Sequence, residues 1–151
     1  MRNTFQIAAP IAAVFTLAGQ LIAGGFYLQL GNPDASPEAR KAGAVVTIKA
    51  LGCGEPAKAT LKATAIRLVN GKHEEIPLSL QKLSEPGMFA LTQQWPKEGR
   101  WVIHVEGQEK IEGTPAYTYT LFTAGPEGID RSHAKSNMKS FAPSDIDAML
   151  R

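Results

Sequence analysis

Between Ala42 and Ala124 apolar side chains recur at every second position, and a chain patterned in this way can bury one face only by building sheets. Ala44, Val46, Ile48 and Ala50 alternate with Val45, Thr47 and Lys49. After the break at Gly52-Cys53-Gly54-Glu55-Pro56, Ala59, Leu61, Ala63 and Ala65 alternate with Lys58, Thr60, Lys62 and Thr64. The parity then slips to Ile66 and Leu68, which predicts a bulge. Asn70-Gly71 follows, the dipeptide that best suits a type I′ hairpin because both central residues need positive φ. Ile76, Leu78 and Leu80 form one face of the next strand. Pro77 within it has no N–H to give to a ladder, so that strand is expected at a sheet edge.

The stretch Gly87 to Gly107 places Trp95 and Trp101, the only two tryptophans, on either side of a Pro96-Lys97-Glu98-Gly99 turn. Phe89, Leu91 and Trp95 share one parity before the turn; Trp101, Ile103 and Val105 share one after it. Both tryptophans therefore read as core rather than as a ligand surface. A last strand sets Tyr117, Tyr119 and Leu121 opposite Thr118, Thr120 and Phe122. About six to seven short strands with tight turns and no helical period predict an all-β, antiparallel β-sandwich over residues 43–124.

Outside that span the pattern changes. Residues 1–30 carry Arg2 and then an apolar run, which reads as an N-terminal apolar helix: either a signal peptide cleaved near Gly25 or a retained transmembrane anchor. Both place the domain outside the cytoplasm, anchored in the inner membrane or periplasmic or secreted. Residues 31–42, with Pro33 and Pro37, read as an extended mobile linker. Residues 125–151 read as a mobile tail, with a short helix over 144–150 begun by a Ser144/Asp147 capping box and striped with Ile146, Met149 and Leu150.

Sixteen basic residues against fourteen acidic leave a net charge of +2 spread along the chain, which gives no footprint for nucleic acid. The single cysteine, Cys53, rules out an intramolecular disulfide. Between its two glycines it is a candidate for partner contact or for a Cys53-linked dimer. Pro77 marks a second candidate contact, where an extended partner could add to the strand edge. For a soft metal the available donors are Cys53, His73 and His104, with Met88, His133 and Met138 further off. Glu74 and Glu75 alternate across a strand and cannot serve one cleft as paired acids. No nucleophile elbow, phosphate loop or zinc helix occurs, so no enzyme and no cofactor is expected.

Pro86-Gly87-Met88-Phe89-Ala90-Leu91, followed by Trp95-Pro96-Lys97-Glu98-Gly99-Arg100-Trp101-Val102-Ile103-His104-Val105, resembles the late hairpin of small exported bacterial domains of the YtkA-like and FixH-like families. The likeness spans residues 86–105. It implies an immunoglobulin-like, membrane-proximal or periplasmic module without catalysis. Relatives in those families are associated with copper-oxidase assembly and copper handling. The expected function is thus a non-enzymatic exported or membrane-tethered domain that contacts envelope proteins; the alternative is a periplasmic copper-binding, metallochaperone-like protein.

Overall fold

The computed structural model describes residues 25–151, and within them the alternation resolves into nine strands. In chain order these are β1 (Phe26–Gly31), β2 (Ala44–Gly52), β3 (Thr60–Val69), β4 (Lys72–Leu78), β5 (Leu80–Lys82), β6 (Met88–Thr92), β7 (Trp101–Ile111), β8 (Thr114–Gly125) and β9 (Gly128–Asn137). Two short helices join them, α1 (Pro37–Lys41) and α2 (Pro143–Leu150). One sheet has the order β1-β2-β6-β5 and the other β4-β3-β7-β8-β9, with every pairing antiparallel. Their inner faces share one core. Val46, Ile48 and Leu91 come from the first sheet; Ala65, Trp101, Ile103, Val105 and Phe122 come from the second. Asn70 and Gly71 take φ of 51° and 75°, the left-handed values that the tight turn between β3 and β4 requires. β4, with Pro77, is the outermost strand of its sheet, as the missing N–H led us to expect.

Both tryptophans are buried in the shared core, but they do not flank a hairpin. β6 ends at Thr92 in one sheet and β7 begins at Trp101 in the other, so residues 93–100 cross from sheet to sheet. Trp95 sits in that crossing. The indole Nε1 of Trp101 donates to the Glu98 carbonyl at 3.1 Å, and the Arg67 guanidinium lies 4.8 Å above its ring. The polar edge of the indole is thereby satisfied inside the core.

The bulge expected at Ile66 does not form. β3 keeps one register against both β4 and β7 across that point. Ile66 is buried on the outer face because α2 covers that face, with Met149, Ile146, Leu150 and Phe141 packed over Val102 and Leu121. The parity slip is the footprint of a docked helix.

Three boundaries also move. Phe26, Leu28 and Leu30 alternate with Tyr27 and Gln29 and form β1 against β2, so the apolar run assigned to 1–30 gives its last residues to the sandwich. The rest of the expected N-terminal apolar helix falls on residues 1–24, outside the described residues. Among the described residues no helix is long and apolar enough to cross a membrane.

The expected linker 31–42 is structured instead. Asn32 and Ser36 cap two short helical turns, with Pro33 and Pro37 at their first helical positions. A proline there loses no hydrogen bond and arrives with a helical φ. Ala39 is fully buried against Leu83 and Ala90, and Glu38 accepts from the backbone N–H and hydroxyl of Ser84.

The expected mobile tail holds β9, a largely exposed, polar strand that shows no alternation because, apart from Ile129 against the core, its side chains face solvent. α2 follows, begun one residue before the expected 144. The Asp145 carboxylate accepts from the Ala142 N–H at 2.9 Å, the role the sequence had given to Ser144 and Asp147. Asp147 instead reaches His73 on β4, at 2.7 Å.

Candidate functional site

The inward positions of β7 read Trp101, Ile103, Val105, Gly107 and Glu109: four residues suited to a core and then a carboxylate. Glu109 is 4% exposed, and neither of its oxygens has a hydrogen-bond partner. An unpaired buried carboxylate is costly, and in most proteins it is paired or absent. Burial pushes the Glu109 carboxyl above its usual range, and the neighbouring Glu55 carboxylate pushes it further the same way.

The loop between β2 and β3 forms the cover. The Cys53 N–H donates to the Gly25 carbonyl at 3.4 Å, which ties the loop to the start of β1. Gly54 has φ +97°, and a Cβ placed on it would stand 2.9 Å from Glu109 Oε1 and 2.9 Å from the Lys110 carbonyl oxygen. Only glycine combines that backbone angle with so close an approach. Glu55 is held by Lys58, Nζ to Oε1 at 2.6 Å, across a single 3-10 turn. Beside this loop lies a cavity of about 330 Å³ lined by Glu55, Lys58, Thr60, Gln108, Glu109 and Lys110.

The residues singled out from the sequence do not gather in one place. Cys53 is exposed on the covering loop, beside Gly54. Pro77 lies exposed on β4 at the sheet edge. His73 is engaged with Asp147 of α2. His104 projects from the outer face of β7, its ring stacked on Tyr119 with centroids 6.0 Å apart and its Nε2 buried without a partner. Burial holds this imidazole below its usual range, against the opposing pull of Glu106 and Glu75. His133 and Asp130 meet on β9 at 3.2 Å, Met88 opens β6, and Met138 is exposed just beyond β9. Among the described residues no group of three or more His, Cys, Asp or Glu side chains is arranged to hold a metal ion.

Glu109 went unnoticed in the sequence because Gly107 interrupts the apolar row and makes β7 seem to end at Glu106. Continuing the odd parity through the glycine reaches it. Comparison with family models, with curated proteins and with solved structures gave no match.

Proposed function

We propose that this chain is a non-enzymatic module of immunoglobulin-like topology, exported and either tethered to the membrane or released beyond it, that works by contact with other envelope proteins. Strand order supports the topology. Lettered along the chain, β1-β2-β6-β5 runs A-B-E-D and β4-β3-β7-β8 runs C′-C-F-G, the two sheets of that fold, with β9 added beside G. Export is supported by the apolar run behind Arg2, whose last residues, from Phe26 on, form β1.

The observation that carries the contact reading is the open rim of β4. Lys72, Glu74, Glu75 and Pro77 are exposed along it, and among the described residues no strand lies beyond. An extended segment of a partner adds there through backbone hydrogen bonds. The exposed thiol of Cys53 offers a second contact, including a cross-link between two copies of the chain. The copper reading has less support, because Cys53, His73 and His104 lie on a loop, an edge strand and an outer sheet face that do not converge.

Photo-crosslinking in intact cells tests the proposal. A photoreactive residue at Glu75 is expected to give adducts with an envelope protein, and one at Lys97 in the inter-sheet crossing is not. Absence of adducts along β4, together with stoichiometric Cu(I) binding that is lost in Cys53→Ser or His104→Ala, would replace the contact reading with the copper one.

A further inference from the structure

We infer that the cavity beside the Cys53–Lys58 loop is a binding site for a small organic cation bearing N–H donors, an alkylammonium or guanidinium group, with Glu109 as its anchor. Three observations meet there. Glu109 is 4% exposed, with two acceptor oxygens and no donor for either. The other charged residues at the cavity are Glu55 and Lys58, which pair with each other at 2.6 Å, and Lys110, which is exposed, so Glu109 is the buried charge there. The volume is about 330 Å³. That is at the lower end of small-molecule sites, roughly 300–1,000 Å³, and far above the roughly 30 Å³ share of one water.

The volume exceeds what a bare metal ion fills, and the unpartnered Glu109 oxygens are acceptors that an anion cannot satisfy. An N–H cation supplies the hydrogen bonds that the Glu109 oxygens lack, and charge-assisted bonds of this kind are the strong ones. Thr60 and Gln108 line the same space and accept from further N–H groups. The raised proton affinity of Glu109 fits this reading, since a bound cation relieves the same charge that a proton otherwise neutralises. Gly54 is the cover: its backbone lies close over Glu109 Oε1, so the loop must shift outward to admit the ligand and then close over it.

Titration calorimetry of the full-length chain with putrescine and with agmatine tests the site, with tetramethylammonium and Ca²⁺ as controls. One of the two amines is expected to bind with a dissociation constant on the order of millimolar or tighter. Glu109→Gln is expected to weaken it about ten-fold or more while leaving the melting temperature of the unliganded protein undiminished. Lys97→Gln, far from the cavity, should change nothing. Failure of both amines to bind, equal binding by Glu109→Gln, or binding of Ca²⁺ or tetramethylammonium in place of the amines would overturn the inference. Crosslinking from β4 does not depend on Glu109, so the site and the contact reading fail separately.

Discussion

Glu109 and His104 occupy the same strand five residues apart, yet burial drives their proton affinities in opposite senses. Glu109 holds its proton more tightly folded than unfolded. Its contribution to stability is therefore full below the usual 4.5 and is lost as pH rises through the folded value. His104 holds its proton less tightly folded. Its contribution is full above the usual 6.5 and is lost as pH falls below it. Urea midpoints measured across pH should accordingly show Glu109→Gln gaining on the wild type as pH climbs from 4 toward neutrality. His104→Gln should gain on it as pH falls below about 6.5. A pH-independent offset in either variant would mean that the charge on that side chain is not what its burial penalises.

At the scale of elements, α2 shows how a segment too short to be stable alone acquires order. Eight residues are marginal as an isolated helix. Docking places Met149 over Val102 and Leu121, while Arg100 Nε donates to the Met149 carbonyl at 2.8 Å and closes the helix end. His73 and Asp147 tie the outer side to β4. Replacing Met149 with Asp should undock the helix, with a local loss of about 2 kcal/mol or more. Hydrogen exchange is the measurement: protection should vanish over 143–150 and persist in β7 and β8. Loss of protection throughout would show that the helix belongs to the cooperative core. α1 follows the same logic on the opposite sheet, where fully buried Ala39 seats a single turn that its proline and serine begin.

Across the whole molecule the two sheets are held by side chains from strands distant in sequence. Val46 and Leu91 of one sheet share a core with Ile103 and Phe122 of the other, and Trp101 lies fully buried in it. Trp101 is the largest fully buried side chain, and it joins the β7 end of one sheet to the residues that cross over from the other. Trp101→Ala should cost about 3–5 kcal/mol, measured by equilibrium unfolding, since so large a void cannot close around the fixed sheets. A loss below about 1 kcal/mol would mean that the indole adds little to the core despite its burial.

What the residues determined by themselves was local and periodic. Alternation dictated strands, Asn70-Gly71 dictated a turn, and Pro77 dictated an edge, because each follows from backbone sterics and the two-residue repeat. The assignment of strands to sheets was decided only by packing: a turn of proline and glycine links two strands equally well as a hairpin or as a crossing, and the core chose the crossing at Trp95. Packing likewise turned the apparent slip at Ile66 into a covered patch, gave Pro33 and Pro37 helical turns to begin, and ordered the polar strand β9 mainly through its backbone pairing with β8. The candidate site belongs wholly to that second class. Glu109 is unpartnered because a loop some fifty-five residues earlier in the chain folds over it, and burial of that kind depends on which distant segments meet, a relation that local periodicity does not encode.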